Sequence, residues 1–157
     1  MIGEKSFNNL GQPDLKVGRF QIWIHGWQYE NPNNPYDADW LRVTAHCGEG
    51  GASVWVSGSI VMASDIERFG EECEWLWGEG KGSATLDPME PELSLEVQTT
   101  DSLGQLEVIV KITPDIITQS HLFKFEIDQS HLPAISKQCA AIREKFAVRI
   151  DYPNNCD

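Results

Sequence analysis

At 157 residues the chain is long enough for one domain with its own hydrophobic core. A hydrophobic share of 41% and a charged share of 23% are ordinary for a globular protein and exclude a wholly disordered acidic tail. The formal net charge of −12 is concentrated between residues 49 and 107, which hold thirteen of the 24 acidic residues and two of the twelve basic ones. Because nucleic-acid binders need a basic face, this distribution argues against one and favours a cationic partner, although acids that only keep the protein soluble would give the same composition.

The sequence lacks the features of a membrane or secreted protein. No apolar run approaches the roughly 20 residues that a membrane helix needs, and residues 1–15 contain no apolar segment of a secretory signal. The four cysteines are widely spaced and form no CxxC pair, which predicts a reduced, cytoplasmic protein without disulfides. They are Cys47, Cys73, Cys139 and Cys156.

The first third of the chain predicts a loose arm followed by three strands. Residues 1–15 are polar and aperiodic, and after Gly18 apolar and polar residues alternate with a period of two. The inward positions of these strands are Phe20, Ile22 and Ile24, then Leu41, Val43 and Ala45, then Val54, Val56 and Ile60. Glycine-rich and proline-rich segments separate the strands, as expected for turns.

An amphipathic helix is predicted next. Ser64 matches an N-cap whose capping box is closed by Glu67, and Gly78 and Gly80 match the end of the helix. Its apolar stripe consists of Ile66, Phe69, Cys73, Leu76 and Trp77.

Three or four further strands and a second helix complete the pattern. Ser130 is the expected N-cap of that helix, and Pro133 is tolerated in its first turn. Its predicted core positions are Leu132, Ile135, Cys139, Ile142 and Phe146. We therefore expect one α+β domain with an antiparallel sheet of about six to seven strands and two amphipathic helices, in the order βββ-α-ββ(β)β-α. The expected boundaries are an arm at 1–15, the domain at 16–150 and a tail at 151–157.

The sequence offers little catalytic chemistry. The histidines at 25, 46, 121 and 131 show no HxH or HxxxH spacing, so no metal ligands are predicted. There is no GxSxG elbow, phosphate-binding glycine loop or Cys–His signature. We therefore predict a protein that is not an enzyme and carries no cofactor.

One turn leaves an alternative open. Asp37 and Asp39 lie beside Tyr36 and Trp40, and acidic and aromatic groups together suit a small cationic ligand. On this alternative the protein is an intracellular small-ligand-binding module or an uncharacterised enzyme. The simpler interpretation is that these aspartates form the polar rim of a turn.

The first helix carries a more specific signal. At 100° per residue Trp75 lies about 180° from Ile66, opposite the apolar stripe, with acidic residues around it. An apolar centre with a charged rim is typical of a partner-binding anchor, while the alternative is that the arm before Gly18 covers Trp75. The predicted partner-binding residues are Glu67, Arg68, Glu71, Glu72, Glu74 and Trp75.

Four stretches form a recognisable pattern: WLRVTA at 40–45, GASVWVSG at 51–58, MEPEL at 89–93 and a longer one within 118–133. The longer stretch consists of TQSH at 118–121, Phe123, FEIDQS at 125–130 and LP at 132–133, whereas His131 departs from the pattern. In order and spacing they resemble the WapI family of immunity proteins, the antidotes to wall-associated polymorphic toxins of bacteria. The resemblance implies a cytoplasmic, non-enzymatic protein that binds and neutralises a cognate toxin domain, commonly a nuclease. It supplies no binding residues, so the predicted partner surface depends on charge and helix geometry.

The leading hypothesis is an immunity protein that blocks a basic toxin domain through the acidic first helix. Neither nucleic acid nor membrane is expected as a partner. A plain oligomerisation or scaffold domain is a third possibility, which predicts a self-complementary apolar patch. The oligomeric state stays open.

Overall fold

The fold was analysed in a computed structural model that describes residues 9–100 and 103–149. It confirms the α+β class, with eight strands and two helices in this part of the chain. In chain order these are β1 (Leu15–Val17), β2 (Phe20–Trp27), β3 (Trp40–Glu49), β4 (Ala52–Met62), α1 (Ala63–Glu79), β5 (Ser83–Leu86), β6 (Leu93–Thr99), β7 (Gln105–Ile112), β8 (Leu122–Asp128) and α2 (Leu132–Lys145).

The strands form two antiparallel sheets of four, where the sequence predicted one sheet of six to seven. Sheet A has the order β1-β2-β3-β4 and sheet B the order β5-β6-β7-β8. The prediction missed β1 and β5, because strands of three and four residues are too short to show a clear alternation. Leu15, the last residue of the predicted arm, begins β1, whereas residues 1–8 of that arm and the predicted tail at 151–157 lie outside the described residues.

The two sheets pack face to face around one core. β3 and β4 of sheet A lie against β7 and β8 of sheet B. The inward positions predicted for the first three strands are buried, except for Ile24, which is half-buried at the edge of the same cluster. Alternation along antiparallel strands thus places one side of each sheet in the core and leaves the other for solvent or for partners.

Helix α1 begins two residues earlier than the sequence predicted. β4 runs to Met62 and turns directly into the helix, so Met62 and not Ser64 is the N-cap. The Met62 amide donates a hydrogen bond of 2.9 Å to Asp65 Oδ2, the role that was predicted for Glu67. Gly80 ends the helix in the left-handed region at φ 71°, as predicted, whereas Gly78 lies inside the helix.

The apolar stripe of α1 is buried except at its end. Ile66, Phe69, Cys73 and Leu76 lie in the core, but Trp77 is 51% exposed. Trp77 lies only about 20° from Ile66 around the helix axis, so its direction was predicted correctly. Leu76, one residue earlier, is buried, whereas Trp77 lines an open cavity together with Leu132 and Pro133 of α2.

The N-cap of helix α2 is His131, which makes no side-chain cap, and not the predicted Ser130. Asp128 Oδ1 accepts a hydrogen bond of 2.9 Å from the Ser130 amide and opens a short 3-10 turn before the helix. Pro133 stands in the first turn of α2, as predicted. Four of the predicted core positions are buried, while Phe146 follows the helix and packs edge-on against Trp27, with ring centroids 5.5 Å apart.

The helices pack against each other and join the two sheets. α1 contacts β4 and β5, and α2 contacts β1. The two helices are antiparallel, because Oε1 of Glu67, near the start of α1, lies 3.6 Å from Nη2 of Arg143, near the end of α2. At the crossing point a Cβ on Gly70 would come within 2.6 Å of Cys139 Cβ, so the absent side chain allows the close approach. Within the described residues, neither helix is both long and apolar enough to cross a membrane.

Candidate functional site

The six residues predicted to bind a partner all lie on α1, where they form two rows. The α2-side row consists of Glu67, Glu71 and Glu74, which line a groove between α1 and α2. The β5-side row consists of Arg68, Glu72 and Trp75, about 100° further around the helix. Spacings of four and three residues keep each row on one line along the helix.

Trp75 is exposed and is supported from below by the backbone. Its side chain is 56% exposed, and a Cβ on Gly82 would come within 2.9 Å of its ring. The segment between α1 and β5 therefore provides a platform on which the indole rests. The alternative that the arm covers Trp75 stays a prediction, since residues 1–8 lie outside the described part of the chain.

The carboxylates of α1 are only partly neutralised. The helix holds six acidic residues and one basic residue. Arg68 lies 3.7 Å from the buried Asp65, and Arg143 pairs with Glu67, but both arginines are exposed, so solvent screens the pairs and they contribute little to stability. Burial raises the pKa of Asp65, while the Met62 amide and Arg68 act in the opposite direction. Elsewhere on the helix Glu71, Glu72 and Glu74 have no ion-pair partner among residues 9–100 and 103–149.

The outer face of sheet B holds a second group of acidic side chains. There Gln98 Nε2 donates a hydrogen bond of 3.0 Å to Glu107 Oε1, and Glu107 faces Glu126 across β7 and β8. Lys111 and Lys124 stand on the same face and are exposed. This agrees with the mixed, solvated sheet face that the strand alternation predicts.

The residues of the alternative ligand site at 36–40 differ in their exposure to solvent. Asp39 is fully buried, and its Oδ1 accepts a hydrogen bond of 2.6 Å from the Arg149 amide, whereas Tyr36 is 73% exposed. The Arg149 guanidinium lies 3.7 Å from the centroid of the Trp27 ring. It also donates to the carbonyls of residues 29, 30 and 38. Arg149 thus ties its segment to this turn through backbone groups and through Trp27, which was not among the residues predicted for the ligand site.

Sequence reasoning missed an aromatic cluster on the outer face of sheet A. Trp23 and Trp55 stack with ring centroids 5.7 Å apart, and His46 packs 4.2 Å from Trp55. Trp23 is buried, and its Nε1 donates to the Gly11 carbonyl at 3.0 Å. Burial lowers the pKa of His46. Bulky residues at outward strand positions were the signal that could have revealed this cluster.

The thiols and histidines give no sign of reactive chemistry. Cys73 and Cys139 are buried and free, as their place on the helix stripes predicted. Burial raises the pKa of Cys139 to about 12 and that of Cys47 to about 11, so both are protonated at neutral pH. Cys156 lies outside the described residues. Across 9–100 and 103–149 no three His, Cys, Asp or Glu side chains group as a metal site requires.

Comparison with known proteins gives one informative match. The profile of the immunity protein WapI-like family matches residues 14–147, which include both sheets and both helices. No curated protein and no solved structure gives a significant match. Since the matched region covers most of the sequence, the chain belongs to the immunity protein WapI-like family.

Proposed function

We propose that this protein is an immunity protein that binds a cognate toxin domain and neutralises it, with the outer surface of α1 as the contact. The family match over residues 14–147 carries the immunity role. The choice of α1 is supported by its acidic residues without ion-pair partners in the described region and by the exposed ring of Trp75.

The proposed mechanism is electrostatic attraction followed by occlusion. A single helix with six acids and one base, of which only Asp65 is buried, raises the rate of encounter with a basic partner. Trp75 then loses its exposed area to the partner, and a large aromatic ring at the centre of a contact is where binding energy concentrates.

A nuclease is the kind of toxin that suits this surface best. Its active-site cleft must be cationic to hold a phosphate backbone. Carboxylates spaced along α1 would occupy that cleft in place of phosphates, and inhibition would follow without any catalysis by the immunity protein. The cytoplasmic location expected from the sequence stays a prediction.

The decisive experiment removes both the anchor and the charge. The double substitution Trp75→Ala, Glu71→Lys is made, its folding is checked by circular dichroism, and it is titrated calorimetrically against the toxin domain encoded beside its gene. Loss of a central aromatic and reversal of one charge should weaken binding by about 100-fold. The matched control is the double substitution Leu122→Ala, Glu126→Lys on β8. It alters an exposed apolar residue and an exposed acid that lie on another element than α1.

We expect the control to bind within about threefold of the unaltered protein, as is usual for residues outside a contact. Equal affinity of the Trp75→Ala, Glu71→Lys variant and the unaltered protein would remove α1 from the proposal. Absence of binding by the unaltered protein would contradict the pairing with that toxin.

A further inference from the structure

The groove between α1 and α2 has a wide apolar end. A cavity of about 380 Å³ lies between the last turn of α1 and the first turns of α2. Its walls include Trp77, Leu132, Pro133 and Ala140. Trp77 leaves half of its surface open there, so the cavity presents an aromatic wall to any occupant.

The groove continues past Glu74 into a narrower acidic section. Ser136 and Ala140 of α2 line both parts, so the two sections are continuous. In the narrow section the α1 wall carries Glu71 and Glu74, and small neutral residues of α2 stand opposite. No ion-pair partner of either carboxylate occurs in the described parts of the chain.

Basic residues stand at both ends of the α2 wall and limit where a cation fits. Arg143 lies beside Glu67 at the narrow end, and Lys137 lines the wide end. A partner's cation would be repelled at both places and attracted between them, at Glu71 and Glu74. The charges of the groove therefore favour a positively charged group of the partner and also fix where along the groove that group binds.

We infer that this groove holds a basic amphipathic helix of the toxin, which places an arginine or lysine between Glu71 and Glu74 and a large apolar side chain against Trp77. An amphipathic helix lying in a groove presents side chains three or four residues apart along one line, and Glu74 and Trp77, which line the acidic and apolar sections, are likewise three residues apart on α1. The inference rests on the proposed function, since the toxin is taken to supply the helix, and it adds the chemistry of the contact.

The test places a cation of the protein's own in the groove. Ala140 is exposed and lines both sections, so Ala140→Lys would put an ammonium group where the partner's cation belongs. The matched control is Ala134→Lys, an exposed position on the same helix that does not line the groove. Both variants have the same net charge and are compared by calorimetric titration against the toxin domain encoded beside the gene.

We expect Ala140→Lys to weaken binding by about 30-fold and Ala134→Lys by less than about threefold, because only the first occupies the contact. Ala140→Leu fills the groove without a charge and should weaken binding as well, whereas Ala134→Leu should not. Thermal unfolding of all four variants checks that the helices are intact.

The outcomes separate the groove from the proposed function. If the unaltered protein binds the toxin domain and the Ala140→Lys variant binds it equally well, the inference that the groove is the binding site is overturned, while the proposed immunity role stands. If the unaltered protein does not bind, the proposed pairing fails first. A result in which Ala134→Lys and Ala140→Lys weaken binding equally would also overturn the inference, since net charge alone would explain it.

Discussion

Helix α1 and the outer face of sheet B are both acidic, yet they differ in how their charges are surrounded. On sheet B, the strand register places Glu96 of β6 and Lys124 of β8 on either side of Ile109, so an acid and a base share one row. In the same sheet the Gln98 side chain donates a hydrogen bond to Glu107. On α1, Glu67, Glu71 and Glu74 follow one another at spacings of four and three residues, so these glutamates are one another's neighbours. Pairing of strands from different parts of the chain brings charges of opposite sign side by side. A helix instead keeps side by side the like charges that lie close together in its own sequence.

The largest effect should come from the close approach that holds α1 beside α2. Gly70→Ala would place a Cβ 2.6 Å from Cys139 Cβ and should lower the free energy of unfolding by about 2 kcal/mol through overpacking. Gly78→Ala is the control, because a Cβ added there would point into open space, with nothing within 4 Å. It should raise stability by about 0.5–1 kcal/mol through helix propensity.

Urea unfolding of the two alanine variants measures this difference. Opposite signs are expected from the same substitution in the same helix. Stabilisation by both would contradict the tight contact between the helices, and the groove would then have a different width.

A smaller effect should separate the two acidic surfaces in the rate of association. Glu71→Gln with Glu74→Gln should lower the association rate with the toxin domain by about tenfold at low ionic strength, because both charges face the partner. Glu96→Gln with Glu126→Gln removes the same charge from sheet B and should change the rate by less than about twofold. Stopped-flow measurements over a range of salt concentrations test this, and equal losses would show that only total charge matters.

Within sheet B, Glu107 and Glu126 face each other across β7 and β8. Glu126→Lys replaces two like charges by an opposite pair and should raise the free energy of unfolding by about 0.5 kcal/mol. Chemical denaturation measures the gain, and affinity for the toxin domain should stay unchanged. A loss of stability would mean that the two side chains avoid each other by turning into solvent.

The smallest effect should be a pH dependence at the start of α1. Burial raises the pKa of Asp65 above its ordinary value of 3.8, so the folded protein holds that proton longer than the unfolded chain. Stability due to this group is therefore present below pH 3.8 and is lost as pH rises through the raised pKa. The effect is small because the Met62 amide and Arg68 offset part of the cost of burial.

Unfolding free energies of the unaltered protein and Asp65→Asn, measured from acid to neutral pH, test this sign. The free energy of unfolding of the asparagine variant should exceed that of the unaltered protein by an amount that grows as pH rises and then levels off. An advantage that shrinks with rising pH would mean that the ionised carboxylate is favoured in the fold.

Long periodic elements were predictable from the sequence, and short or capped ones were not. The stripes of α1 and α2 extend over several turns, so period and direction were clear, and the exposure of Trp75 followed from its angle. β1 and β5 are too brief for a period to appear. The caps were missed because both helices begin at residues without a side-chain cap hydrogen bond, Met62 and His131, so no capping residue type marks the start.

The candidate site was predictable where it depends on one helix. The groove required knowing that α2 lies against α1, so the part that Ser136 and Ala140 play in it, and the exposure of Trp77, had no signal in a single segment. The contact between Asp39 and Arg149 joins residues 110 positions apart, and no local pattern can indicate it.

That contact also sets an order of events during synthesis. The carbonyls of residues 29, 30 and 38 emerge from the ribosome long before the guanidinium that they bind. At about 5–20 residues per second, the 110 residues between Asp39 and Arg149 take roughly 5–20 s to translate. For that time the segment between β2 and β3 lacks its cation, so proteases and chaperones meet it in a looser form than the finished protein shows.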